Sequence, residues 1–126
     1  MDSVGGLDML TTNTGAGKVS VRFNDGSGIF SGGTDYTTAS TPFSLKAGDI
    51  DGDGDLDVAI AMQTGIETRL NNGSGNFSVG TFVAAFAGAY TMLLEDVDKD
   101  GDLDIVSNSQ TPGLIVRLNN GAGVFS

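Results

Sequence analysis

The chain has no cysteine, no histidine and no tryptophan among its 126 residues. Without cysteine there are no disulfides, thiolate metal sites or thiol nucleophiles. Without histidine, the commonest general base and the usual partner of a nucleophilic serine are missing. Positive charge is almost as scarce: six Lys and Arg stand against sixteen Asp and Glu, a formal charge of −10. Such a chain is not built to neutralise a nucleic-acid backbone. Proline is reduced to two residues, and no apolar run reaches the ~18 residues that span a bilayer. No charged-then-apolar leader follows Met1, so an export signal, if there is one, is expected to be removed or to lie on a larger parent. What abounds is glycine, at twenty residues, with many Thr, Ser and Val. With 39% apolar residues this reads as one ordinary domain of short strands and tight turns, neither an acidic disordered tail nor a membrane protein.

The acidic residues are not spread evenly. DIDGDGDLD at Asp49–Asp57 and DVDKDGDLD at Asp96–Asp104 hold ten of the sixteen. Carboxylates so crowded repel unless a cation sits among them, and hard divalent ions with oxygen ligands, calcium above all, are the natural counter-charge. In D-x-D-x-D-G-x-x-D, side chains one, three and five converge on an ion, glycine six allows a sharp bend, position seven offers its carbonyl and position nine closes the shell. That assigns Asp49, Asp51, Asp53, the Asp55 carbonyl and Asp57 to one Ca²⁺, with Gly54 at the bend. It assigns Asp96, Asp98, Asp100, the Asp102 carbonyl and Asp104 to a second, with Gly101. Two ions would bring the formal charge to −10 + 4 = −6. An EF-hand opens the same way but needs an acid at position twelve, where Ile60 and Ser107 stand. A third loop is degenerate: aligning Asp8 with Asp57 puts Asp2 at position three, Val4 at five and Gly5 at the bend, so no ion is expected there.

These loops belong to an internal repeat of about 47 residues. RFNDGSGIFS (Arg22–Ser31) returns as RLNNGSGNFS (Arg69–Ser78) and RLNNGAGVFS (Arg117–Ser126). Asp25-Gly26, Asn72-Gly73 and Asn120-Gly121 accept positive φ and predict tight hairpins. Within the middle repeat, strands are expected near Phe43–Ala47, Asp57–Ala61, Glu67–Leu70 and Phe77–Val83. Four strands in 40–50 residues is the size of a propeller blade. The expected fold is therefore all-β: about 2.7 four-stranded blades, in repeats near 1–41, 42–88 and 89–126, the first lacking its opening strand and the last its outer one.

The stretches DIDGDGDLDVAI and DVDKDGDLDIVS, followed by RLNNGSGNFS and RLNNGAGVFS, resemble the FG-GAP and VCBS repeats of integrin-α-like β-propellers, over essentially the whole chain. The Phe-Gly and Gly-Ala-Pro of the integrin version are absent, so the bacterial variety is the better likeness. The resemblance implies that each Asp-rich loop joins the innermost strand of a blade to the next and binds calcium. It also implies an extracellular or cell-surface role in adhesion, ligand recognition or scaffolding.

Propellers typically have four to eight blades, more than this chain supplies. It is expected either to be part of a longer propeller or to assemble with copies of itself into a homo-oligomer or polymer. Three functions stay open: a non-catalytic module binding carbohydrate or protein, a structural subunit of an extracellular fibre or surface layer, and a non-catalytic part of a polysaccharide-acting enzyme. TGAGKVS at Thr14–Ser20 falls short of a phosphate loop, because Thr12 and Val19 stand where glycine and Ser or Thr are needed. Tyr36, Tyr90, Phe82 and Phe86 read as packing residues. The recurring Arg22, Arg69 and Arg117 read as structural ion pairs or stems lying over apolar surface.

Overall fold

A computed structural model describes residues 5–84, 88–109 and 113–126. Phe86 and the Asp2 and Val4 positions of the degenerate loop lie outside these residues. The fold is all-β, built from antiparallel sheets that do not close into a ring. The first repeat supplies β1 (Met9–Asn13), β2 (Lys18–Asn24), β3 (Phe30–Ser31) and β4 (Asp35–Thr37). The middle one supplies β5 (Pro42–Gly48), β6 (Asp57–Met62), β7 (Gly65–Asn71) and β8 (Phe77–Ala84). The third supplies β9 (Met92–Glu95), β10 (Asp104–Asn108) and β11 (Leu114–Arg117).

The middle sheet is a plain meander, β5-β6-β7-β8, each strand antiparallel to its neighbour. The four strands read from the sequence lie inside its bounds. β10 pairs with β9 and β11 in the same way, and only an isolated bridge, Asn119 to Phe125, stands where the middle sheet has its fourth strand. In the first sheet β3 and β4 pair successive stretches of β2, so together they occupy the place of β8. The interruption has a local cause: Gly32 and Gly33 take φ of 61° and 78°, and a Cβ at Gly33 would stand 2.1 Å from the Val21 carbonyl oxygen. Only glycine lets the chain step past β2 there.

β6 shows how the sheets pack. All six of its residues are buried, as expected of a strand covered on both faces. Side chains alternate across it. Val58, Ile60 and Met62 pack against Val19 and Val21 of β2, whereas Ala59 and Ala61 pack with Ile50, Met92 and Ile105 on the side of the third repeat. The back of each sheet thus lies on the front of the next. Burying a Val, Ile or Met side chain contributes about 1.5–3 kcal/mol, so these two seams carry most of the fold's apolar stabilisation.

Candidate metal centre

Each complete acidic loop joins the first, edge strand of its sheet to the second: β5 to β6, and β9 to β10. Position one organises the loop through its backbone. Asp49 Oδ1 accepts the N–H of Gly52 at 2.9 Å and its Oδ2 that of Gly54 at 3.1 Å. In the second loop Asp96 accepts from Lys99 at 2.7 Å and from Gly101 at 3.1 Å. The bend glycines adopt left-handed φ, 92° at Gly54 and 100° at Gly101. Position four is left-handed as well: Gly52 has φ 78°, and Lys99 has φ 69°, the one non-glycine residue of positive φ among those described.

Position nine is fully buried in both loops. Asp57 accepts the backbone N–H of Ile50 at 2.9 Å on one oxygen and that of Asn71 at 2.7 Å on the other. Asp104 repeats this with Val97 at 3.0 Å and Asn119 at 2.8 Å. The carboxylate therefore ties the start of its own loop to the end of the third strand. Asp8 in the first repeat likewise accepts the backbone N–H of the asparagine that ends β2, Asn24, at 3.0 Å.

The structure brings positions one, three and nine together. Asp49, Asp51 and Asp57 each present an oxygen within 4.8 Å of the others, and so do Asp96, Asp98 and Asp104. These are two clusters that could hold a metal ion. The side chains at positions five and seven, as distinct from the position-seven carbonyls assigned from the sequence, have neighbours within the loop and the following turn. Asp53 accepts the Asp55 N–H at 2.8 Å and Asp100 the Asp102 N–H at 2.9 Å, both on the exposed side of the loop. The Asp55 and Asp102 side chains lie over the turn that follows the third strand: a Cβ at Gly73 would stand 2.6 Å from Asp55 Oδ2, and one at Gly121 2.7 Å from Asp102 Oδ2.

Crowding affects proton affinity. Loss of solvation raises the Asp57 carboxyl above the ordinary carboxylate range, aided by the Asp51 charge and opposed by its two backbone donors. Asp98 and Asp102 are raised by the same loss of solvation and then by the charge of Asp100. An ion bound among them would relieve this repulsion, and a set of carboxylate oxygens is the donor chemistry a hard cation requires.

Three asparagines complete the centre and were not read as site residues, although they close each R-[F/L]-N recurrence. Asn71 Nδ2 donates to the Leu56 carbonyl at 3.2 Å, and Asn119 Nδ2 to those of Leu103 at 3.2 Å and Ile50 at 2.8 Å. Asn24 Nδ2 donates to Leu7 at 3.2 Å. Each amide clamps position eight of the loop to the third strand. The turns just beyond differ from the tight hairpins expected. Only their glycines have positive φ, two per turn, and the loops are wider, with the Asn72 N–H donating to the Asn76 carbonyl. Asp25, Asn72 and Asn120 instead use a side-chain oxygen to accept backbone N–H groups within the turn, as in Ser27 to Asp25 at 2.8 Å. The Ser27 hydroxyl and N–H hold the Asp25 carboxyl below its usual range.

Of the aromatics, Tyr36 packs edge-on against Phe77 at 5.7 Å, and Tyr90 meets Phe43 at 5.0 Å. Phe82 covers Gly65 but is largely exposed, so packing is not its whole surroundings. Arg69 pairs with the buried Glu67 and donates to the Thr37 carbonyl of the first repeat at 2.7 Å. Arg22 pairs with Asp35 at the surface.

An all-β array of repeated antiparallel sheets, with an Asp-rich loop after the first strand of the second and third, defines a repeat protein of propeller-blade type. The model of the FG-GAP-like repeat matches residues 1–60 and 49–107, and the chain belongs to that family. No curated protein matches it. Among the described residues no helix is long and apolar enough to cross a membrane.

Proposed function

We propose that the two acidic loops each hold a calcium ion, and that the chain is a calcium-stabilised, non-catalytic binding module working outside the cell. The observation that carries this reading is duplication. The same three-carboxylate cluster, with the same backbone donors on positions one and nine, is built twice from loops that differ in sequence at positions two and four. Position nine is held by backbone donors in both loops, so the carboxylates at positions one and three, brought within 4.8 Å of it twice, are the part of the cluster that the ion accounts for. Asp51 and Asp98, each accepting one long backbone bond from position five, meet the ion beside positions one and nine, while Asp53 and Asp100 reach it by a rotation about their own side-chain bonds. Calcium acts here as a fold staple, and the outside of the cell is where sites of modest affinity fill. The units of the module are residues 1–41, 42–88 and 89–126, and its ligand is a protein or carbohydrate.

Titration calorimetry of the chelated protein tests this. Two calcium equivalents are expected, with Kd between about 10⁻⁶ and 10⁻³ M, and Asp51→Ala and Asp98→Ala should each remove one. No heat and no thermal shift at millimolar calcium would overturn it, and equal affinity for magnesium would change the ion.

A further inference from the structure

The two seams inside the chain follow one rule, and the third sheet leaves it unfinished. On the back of the middle sheet, Ile50, Ile66 and Thr68 are covered by the third repeat, the first two at 1% exposure. Their counterparts 47 or 48 residues on are Val97, Leu114 and Val116. Val97 is 45% and Leu114 65% exposed. Register places the apolar residues on one face: Val106 stands opposite both Leu93 and Val116, and Leu114 is two residues from Val116 along β11. Directly opposed residues share a face, as do residues two apart. The third sheet therefore turns an apolar row of Leu93, Val106, Leu114 and Val116 outward; the counterparts of the last three, Ala59, Ile66 and Thr68, are buried in the middle sheet, whereas that of Leu93 is the exposed Lys46.

What covers such a face within the chain is the front of a sheet. The front of β10 carries Ile105, packed in the cluster with Ala59 and Ala61 of the middle repeat, and Ser107, with Ser109 just beyond the strand, all three buried. The front of β1 carries Met9, Thr11 and Asn13 at the equivalent positions, one apolar residue nearest the loop followed by two polar ones. Ile105 is 0% exposed and Met9 40%. The third sheet thus presents an exposed apolar back, and the first sheet a front on which Met9 is exposed and Thr11 and Asn13 are half-buried.

We propose that the back of the third sheet receives the front of the first sheet of a second copy, so that copies associate head to tail by the seam that joins the repeats within one chain. This goes beyond the metal-binding reading and does not need it. The contact is heterologous, the two surfaces being different, so it grows into a ring or a filament according to whether the rotation per copy closes.

Light scattering on the full chain in calcium, with concentration varied, tests this with two variants at exposed positions. Wild type should exceed 12.8 kDa as concentration rises. Leu114→Glu blocks the back and Met9→Glu the front, so each alone should remain at 12.8 kDa while keeping the wild-type circular dichroism. Mixed one to one, the Met9→Glu back is free to meet the Leu114→Glu front. The pair should form a dimer of twice that mass and nothing larger. A wild type that stays monomeric at every concentration overturns the proposal. So does a symmetric back-to-back dimer, which Leu114→Glu would abolish, Met9→Glu would leave intact, and mixing would not restore.

Discussion

Asp57 and Asn71 hold each other twice: the Asp57 carboxylate accepts the Asn71 backbone N–H at 2.7 Å, while the Asn71 side-chain amide donates to the Leu56 carbonyl, one residue before Asp57, at 3.2 Å. Asp104 and Asn119 do the same around Leu103. Position nine thus has a structural task independent of any ion. Asp57→Ala strands two buried N–H groups and should cost about 2–4 kcal/mol even in chelator. Asp51→Ala should cost nothing in chelator and, in calcium at a hundredfold excess over Kd, about 2.7 kcal/mol. Urea denaturation of both variants with and without calcium separates the two roles; equal losses for Asp51→Ala in both conditions would remove it from the ligand set.

The acidity of the loops gives a pH dependence of opposite sign with and without the ion. In chelator, the raised Asp98 carboxyl binds its proton more tightly in the folded than in the unfolded chain. Its contribution is therefore most favourable below the ordinary value of 3.8 and is lost as pH rises through the folded value. Asp98→Asn should accordingly raise the urea midpoint in chelator at neutral pH and leave it unchanged near pH ~3. In calcium the same substitution should lower it at neutral pH. A variant neutral in both conditions at pH ~7 would show that Asp98 meets neither charge nor ion.

How much of this was legible in the sequence follows from where periodicity carries information. The middle strands were readable because alternation and turn residues agree, and because β6 is apolar from Val58 to Met62. The loops were readable because carboxylates recur at fixed spacing. The clamp by Asn24, Asn71 and Asn119 was visible only as recurrence: an asparagine just ahead of a turn looks like turn chemistry, and nothing local shows that its amide reaches a carbonyl 15 to 17 residues back. The split of the outer strand at Gly32-Gly33 was hidden for the converse reason, since glycine fits a turn anywhere.

Lys99 departs from its own repeat. It takes φ 69° where the first loop has Gly52, a conformation that costs an L-residue about 1–2 kcal/mol. Lys99→Gly should stabilise the protein by about 0.5–1 kcal/mol after the greater freedom of glycine in the unfolded chain is allowed for. Gly121→Ala is the opposite experiment: at φ 80° and facing Asp102 it should cost about 1–2 kcal/mol. Thermal melts read both, and a destabilised Lys99→Gly would mean that the lysine side chain has contacts worth more than its backbone strain.

Glu67 is buried between repeats, with Arg69 on one oxygen and the Ala39 N–H donating to the other at 3.1 Å. Arg69→Ala leaves that carboxylate buried without its cation and should cost about 3 kcal/mol. The Arg69→Ala, Glu67→Gln double variant should recover much of the loss, and failure to do so would assign the cost to the lost Thr37 contact instead. Arg22→Ala, which breaks the exposed pair with Asp35 and a bond to the Val21 carbonyl, should cost far less than Arg69→Ala.

The Asn119 amide reaches the Ile50 carbonyl across 69 residues of sequence, and the Thr81 hydroxyl donates to the Gly123 carbonyl at 2.7 Å. A pull on the third repeat therefore does not begin by peeling its own short strands. Load passes through Asn119 and Gly123 into the first acidic loop and the outer strand of the middle sheet, where several bonds are strained together in shear. The loop at Asp49–Asp57 is in this sense a joint between repeats as well as a cluster of carboxylates.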